Sequence, residues 1–557
     1  MSNLILLFFL YAIFFRSVNA QPLASQGGLW EEGTLIHSPR KNIWELPEND
    51  FLSVTTAGKK HAILYPVTIT QLLIPYRPLK TFLNSEGSDF HRWLYEQTQR
   101  RMPFQTMDGF YDWLGIHQFP KTAEANVSSL THPGAAMADD RMGATLIERG
   151  GATGVTFSCA ACHSSDLFGM KVLGLQNRFP RSFELFDMGT KYIKYLDEFF
   201  YRGLFQTTAA EAQMYRQTQQ AANWVVTQRP HALGLDNSLS IVALSLHKRK
   251  QDEYASRETA HSPWNPARPH PVEKIPLGSK PMPWWNVKYK NRWLSDGSVV
   301  SGNPIFTNIL WNEIGRGSDL KELETWLINN ETKLKELTAA VFAAEAPAPW
   351  RLVDPCSFDI DQAKRGQKIF MNQCQGCHGA YEKAWDESVV STACADRLKT
   401  ARVHYHQTTP VIDVGTDPNR YLGVQHFADR LNDLKISKAF QTVVKPQKGY
   451  VPPPLVGIWA RYPYFHNNSA PSLWQVLTLP EQRVKGYWMV PADDFKRDFD
   501  WTTNGYPSEA LIDARWKQDK EYYFDSSLPG LSNQGHKFGT QLSPSDKNDL
   551  IKFLQTL

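Results

Sequence analysis

The sequence predicts a mainly α-helical fold with long loops, divided into two domains. Alternating strand patterns are few, and helical periodicity marks the stretches 90–101, 183–201, 209–228 and 320–343. An alanine and proline run, Ala344–Pro349, follows the last of these stretches and is typical of a stiff connector. A chain of 557 residues is long enough for two full hydrophobic cores. We therefore expect an N-terminal domain at 21–343, a linker at 344–355 and a C-terminal domain at 356–557.

Each predicted domain contains one copy of the pattern Cys-x-x-Cys-His, at Cys159–His163 and at Cys374–His378. In this pattern two thiols form thioether bonds to the haem vinyl groups, and the histidine is the proximal iron ligand. A zinc site would need further ligands, and a redox dithiol does not need the histidine. The sequence therefore predicts two covalently bound c-type haems. Their thioether residues would be Cys159, Cys162, Cys374 and Cys377, and their proximal ligands His163 and His378.

The residues around the second motif predict two helices in contact. Residues 361–370 read as a helix that leads into the motif, with Phe370 facing the haem, and Gly366 would let another helix approach closely. Ser543 and Pro544 are typical of the N-cap and first position of a final helix. Such a pairing of first and last helices is similar to the class I cytochrome c fold, which we expect for the C-terminal domain.

The N-terminus predicts export from the cytoplasm. Leu4–Phe15 is an unbroken apolar run, and small residues lead up to Ala20. We expect a signal peptide at 1–20, with an uncleaved anchor as the alternative because the run is not preceded by Lys or Arg. Covalent haem is normally attached outside the cytoplasm, so a periplasmic or secreted protein is expected. No integral membrane segment would remain after cleavage.

The two cysteines outside the motifs, Cys356 and Cys394, flank the second motif. In an oxidising compartment we expect them to form a disulfide that closes a loop around it. Such a loop closure is worth about 4 kcal/mol through chain entropy. Two unpaired thiols are the alternative.

The function depends on the second axial position of each iron. A c-type haem is an electron carrier when the protein supplies both axial ligands, and a catalyst when one side of the iron is open. For the C-terminal haem we expect His536, with a surface histidine as the alternative interpretation. His466 is interpreted as a competing ligand or as a group beside the haem or its propionates. For the N-terminal haem no residue stands out, which favours an open iron; candidates by type alone are Met170, Met188, Met214 and His247.

Three further stretches carry a resemblance to known enzymes. A proline-rich segment at 262–285, expected to be irregular, leads into the first stretch, Pro283–Lys290; the others are Pro453–Arg461 and Tyr464–Ser469. With the two haem motifs, they make residues 140–557 resemble the secreted di-haem rubber oxygenases. More distantly, the chain is similar to bacterial di-haem cytochrome c peroxidases and to the methylamine dehydrogenase maturation enzymes.

The resemblance implies a division of labour between the haems. The N-terminal haem would bind dioxygen or hydrogen peroxide, and the C-terminal haem, with His536 as its distal ligand, would be low-spin and supply or store electrons. Trp284 or Trp285 would lie between the haems as an electron relay, with a buried packing pair as the alternative. In the rubber oxygenases an apolar aromatic residue covers the reactive haem, and Val299–Phe306 here does not single one out.

Three functions remain open from the sequence. An oxygenase of an apolar organic substrate is favoured, because the apolar stretch 232–244 would suit a dry distal pocket. A peroxidase would need an acid–base group near the iron. A non-enzymatic electron carrier with a redox partner protein would not need so long a chain. Sixty basic against 56 acidic residues argue against nucleic acid as a partner, and a calcium ion between the domains is left open.

Overall fold

The computed structural model describes residues 40–249, 271–388 and 391–557. Helices account for about 45% and strands for about 11% of these residues, as a mainly helical fold requires. The predicted signal peptide at 1–20 and residues 262–270 of the proline-rich segment lie outside the described residues. Within the described ranges, no helix combines the length and apolar character that a membrane crossing needs.

The α-helices follow the whole described chain, and the later ones are mostly short. In chain order they are Glu48–Ile63, Tyr76–Leu83, Asp89–Gln99, Met107–Trp113, Cys159–His163, Ser182–Ile193, Glu198–Phe205, Ala209–Ala222, Ser238–Lys248, Pro304–Gly315, Leu320–Asn329, Glu331–Ala343, Ile360–Gln373, Gln375–His378, Cys394–Arg397, Asn419–Val424, Ala428–Asp433, Lys435–Ala439, Leu473–Val476 and Pro544–Leu554.

Three predicted helical stretches are wrong in extent. The stretch 183–201 is interrupted before Asp197, whose side chain caps a new helix by accepting a hydrogen bond from Phe199 N. The stretch 209–228 ends at Ala222. The stretch 320–343 is two helices, because the Asn330 side chain donates to the Trp326 carbonyl at 2.8 Å and competes with the helical backbone pattern.

The sheets are small and antiparallel, and the strands are Ile74–Pro75, Ala144–Arg149, Ala152–Phe157, Ser164–Leu167, Met170–Leu173, Val299–Ser301, Ala380–Lys383, Thr400–His404, Val443–Val444, Gly486–Trp488 and Tyr523–Asp525. The longest pair is a hairpin in which Arg149 faces Ala152. Gly150 and Gly151 form its two-residue turn with φ of 60° and 81°, which only glycine adopts readily. The hairpin ends immediately before the first haem motif.

Two large hydrophobic cores draw residues from both sides of the linker at 344–355. One packs N-terminal helices against residues 424–444. The other packs 167–175, 233–235 and Trp285 against the C-terminal part of the chain. The linker is itself packed, since Trp459 Nε1 donates to the Pro347 carbonyl at 2.8 Å. The linker therefore does not separate one core from the other.

The expected contact between the first and last C-terminal helices is present. A Cβ atom at Gly366 would lie 1.9 Å from the Asp549 carbonyl oxygen, so only glycine allows this approach. Phe370 and Phe553 pack with ring centroids 5.4 Å apart. Ser543 caps the last helix by accepting a hydrogen bond from Asp546 N. These contacts confirm the expected pairing of the two helices.

We expect Gly366→Ala to lower the free energy of unfolding by about 1–3 kcal/mol, because the added methyl group overpacks the helix contact. Urea denaturation measures this change. Gly189→Ala is the matched control: Gly189 is also helical, has open space around it, and should gain up to about 1 kcal/mol. Equal effects of the two substitutions would contradict the close contact.

Candidate functional site

The first motif forms the short helix Cys159–His163 directly after the hairpin. Ser158 caps this helix, and its side chain accepts a hydrogen bond from Ala160 N. Gly143, with φ of 105°, lies close to the helix, since a Cβ atom there would come within 2.5 Å of the Ala161 nitrogen. The end of the hairpin therefore fixes the position of both thiols and of His163.

The His163 ring is buried and neutral at pH 7. Burial lowers the pKa of His163 to about 4. The Asp236 carboxylate and the Met282 backbone act in the opposite direction, but their effect is smaller. Neutral imidazole is the form that binds a metal ion. The Trp284 ring lies against His163, with centroids 5.8 Å apart.

Two cavities of about 70 and 150 Å³ share Cys159 and His163 in their walls. In the larger cavity the wall is mostly apolar and includes Val299, Ile305 and Ile309. Among the described residues that line either cavity, His163 is the one histidine and Asp236 the one carboxylate. The stretch Val299–Phe306 thus contributes Val299, Pro304 and Ile305 to this wall.

One expectation for this site needs correction. The apolar stretch 232–244 contributes only Ile241, with the polar Asp236 and Ser238, because its other apolar residues pack in the cores. The candidates chosen by type do not line the cavities either. The methionines instead pack in hydrophobic clusters; they are Met170, Met188 and Met214. His247 lines neither cavity.

The second motif brings His378 to the end of the short helix Gln375–His378. Its Nδ1 donates to the Pro453 carbonyl at 2.8 Å, which leaves Nε2 for a metal ion. The Tyr381 hydroxyl donates to the His378 carbonyl at 2.9 Å and accepts from Leu455 N at 2.6 Å. A cavity of about 270 Å³ opens beside this ring.

His536 faces His378 across this cavity. The two ring centroids are 6.4 Å apart. Two imidazole nitrogens on one metal ion are about 4 Å apart, and each ring centre lies about 1 Å further out, so the expected separation is about 6 Å. The positions of both rings therefore fit a haem iron between them. Burial lowers the pKa of His536 to about 4, so this ring is also neutral.

His466 lines the same cavity but is held differently. Its ring stacks on Tyr450, with centroids 3.9 Å apart and planes at 20°. Its carbonyl accepts a hydrogen bond from Lys280 N at 2.7 Å. The structure thus places His466 beside the candidate haem site, with its ring packed against a tyrosine.

The two tryptophans are consecutive but belong to different surroundings. Trp284 lies beside His163 and packs in the first core. Trp285 is fully buried in the second core, and its Nε1 donates to the Val456 carbonyl at 2.8 Å. Since Val456 is three residues from the Pro453 acceptor of His378, the pair connects the surroundings of His163 with those of His378.

Residues 453–463, here called the carbonyl segment, join both sites. Most of this segment is irregular, and its buried carbonyl groups need donors. Side chains from distant parts of the chain supply them: His378 to Pro453, Asn286 to Pro454, Trp285 to Val456, Arg178 to Ala460 and Tyr462, Gln176 to Arg461, and Lys280 to Arg461 and Pro463.

A disulfide joins Cys356 and Cys394 next to the second motif. No cluster of three or more His, Cys, Asp or Glu side chains that could hold another metal ion occurs in the part of the chain that the structure describes. His404, close to the second motif in the chain, is paired with Glu382. These residues therefore give no support for a calcium site.

Comparison with known proteins gives a family match over a short part of the chain. Residues 449–489 match the family model described as RoxA-like, cytochrome c-like. Such a domain implies covalently bound haem c and is typical of haem-dependent oxidoreductases. The match includes the whole carbonyl segment and His466.

Two relatives from Sinorhizobium fredii (strain NBRC 101917 / NGR234) are similar to part of the chain. The uncharacterized protein y4iJ is 26% identical over 253 residues, which cover 36% of this chain and 39% of the relative. The uncharacterized protein y4iM is 25% identical over 221 residues, which cover 36% of this chain and 50% of the relative. The chain therefore spans half or less of the length of these relatives.

We expect His536→Ala to convert the haem of the second motif from low spin to high spin, because one axial nitrogen is lost. Electron paramagnetic resonance of the oxidised protein measures this change, and added imidazole should restore the low-spin signal. His466→Phe is the control, since phenylalanine retains a ring to stack on Tyr450. A low-spin signal lost in the control and kept in His536→Ala would assign the ligand to His466.

Proposed function

We propose that this protein is an exported di-haem c-type oxidoreductase, periplasmic or secreted. The haem of the first motif would activate dioxygen or hydrogen peroxide, and the haem of the second motif would transfer electrons. The difference between the two histidines carries the proposal. His378 faces His536, whereas no other histidine lines the cavities at His163 among the described residues.

Oxygenation of an apolar organic substrate is the favoured reaction. Haem c at the first motif would supply a redox-active iron that binds dioxygen or peroxide. The chain would hold this group through two thioether sulfurs and through His163, against which the Trp284 ring lies. The aliphatic residues Val299, Ile305 and Ile309 would exclude water and accept an apolar substrate. Cleavage of an alkene, which the resemblance to the rubber oxygenases implies, fits this wall.

Electron transfer between the haems would follow the two tryptophans. Trp284 contacts His163, and Trp285 is hydrogen-bonded to the carbonyl segment, which also accepts from His378. Two aromatic rings in series would allow an electron to move between the sites in short hops. Trp284 and Trp285 are therefore proposed as the relay.

A peroxidase is the second candidate, and Asp236 favours it. A peroxidase needs a group that moves the peroxide proton. Asp236 lines both cavities at His163, and its Oδ1 accepts hydrogen bonds from the backbone nitrogen and the hydroxyl group of Ser238. In this reaction Asp236 would hold or release the proton beside the bound peroxide.

Isotope labelling separates the two reactions. The purified protein is incubated with ¹⁸O₂ and an isoprenoid alkene, and its products are analysed by mass spectrometry. We expect labelled carbonyl products from the unmodified protein and from Ile305→Val, and a loss of at least about 10-fold in Ile305→Asn, because a polar group wets the wall.

Asp236→Asn should leave this oxygenation within about 2-fold. Peroxide turnover without labelled product, reduced about 10²–10⁴-fold in Asp236→Asn, would instead establish the peroxidase. If neither reaction occurs, the remaining function is electron transfer alone.

A further inference from the structure

Three buried cations line the cavity between His378 and His536. They are Lys280, Lys290 and Arg461, and their side chains are nearly inaccessible to solvent outside the protein. A buried charge is expensive unless an opposite charge or full hydrogen bonding compensates it. Three such groups at one cavity therefore require an explanation.

The described residues do not neutralise these cations. Lys290 Nζ donates to the Met282 sulfur at 2.8 Å, and a thioether is a weak acceptor. The Nε and Nη1 atoms of Arg461 are buried without a hydrogen-bond partner among the described residues. Among the described residues, the Nζ atom of Lys280 donates to the uncharged carbonyl groups of Arg461 and Pro463.

Among the described residues, no carboxylate acts on the pKa values of the three cations. The charged or ionisable groups that act on their pKa values are Arg178, Arg461 and Tyr464. Burial accordingly lowers the pKa of Lys290 to about 7 and that of Arg461 to about 10. An anion that enters the cavity would raise the pKa values of both groups and offset this cost.

We propose that Lys290 and Arg461, supported by Lys280, bind the two propionate carboxylates of the haem attached to Cys374 and Cys377. A haem held between His378 and His536 brings two carboxylates into a cavity whose wall offers three cations. The unpartnered Arg461 nitrogens are the charge-assisted donors that a carboxylate prefers.

This arrangement would also bring a propionate of the second haem close to the cavity at the first motif. Lys280, Met282 and Ser295 line both the cavity at His378 and the larger cavity at His163. Of the three cations, Lys280 lies on this shared wall and would hold a propionate there. Because positive charge favours the reduced form, the three cations would also raise the reduction potential of the second haem.

The test is the midpoint potential of the low-spin haem in the full-length haem-loaded protein, measured by spectroelectrochemical titration. Lys290→Met and Arg461→Met should each lower this potential, and the double variant should lower it further, whereas Arg461→Lys should keep most of the unmodified value. Lys288→Met is the matched control. Lys288 is equally buried, burial lowers its pKa to about 7, and it bonds the Ala344 carbonyl without lining the cavity.

Unchanged potentials in Lys290→Met and Arg461→Met, or an equal decrease in Lys288→Met, would overturn the proposal. If the variants do not acquire haem, infrared difference spectra of the unmodified protein with ¹³C-carboxyl haem decide the question. Both propionates of the second haem should be ionised at pH 7, and a protonated propionate would contradict the proposal. The inference depends on the c-type haem proposed at the second motif. It does not depend on which reaction the haem of the first motif catalyses.

Discussion

The hydrogen bonds to the carbonyl segment, residues 453–463, are the constraint on which the two sites depend. An irregular buried segment is stable only when its carbonyl groups are satisfied. Here the donors come from both sites: His378 from the second motif, Trp285 from the tryptophan pair and Lys280 from the wall shared by the two cavities. One segment therefore sets the orientation of a candidate iron ligand, a candidate relay and a cation.

The two motifs have the same chemistry but different surroundings, and the surroundings differ in what they allow. His378 has a second imidazole at a separation suited to one iron. His163 lies at a mostly apolar cavity whose wall includes Ile305 and Ile309. The interlocked cores hold these surroundings together, since each core contains residues from both sides of the linker. This asymmetry is the physical basis of the proposed division between oxygen chemistry and electron transfer.

Local signals predicted the parts of the structure that depend on a few neighbouring residues. The two motifs, the cap at Ser543 and the close approach at Gly366 follow from residue type and spacing. The hairpin was missed although Gly150 and Gly151 give a recognisable turn signal. Long-range features had no local signal: the wall at Ile305, the cores that cross the linker, and the burial of lysines such as Lys290, which composition alone places at the surface.

Low-temperature electron paramagnetic resonance of the oxidised, unmodified protein tests the central claim most directly, with haem content determined as the pyridine haemochrome. The account predicts two haems per chain: one low-spin signal that azide does not perturb, and one signal that is high-spin or changes when azide binds. One haem per chain, or two low-spin signals that neither azide nor cyanide perturbs before or after reduction, would contradict it.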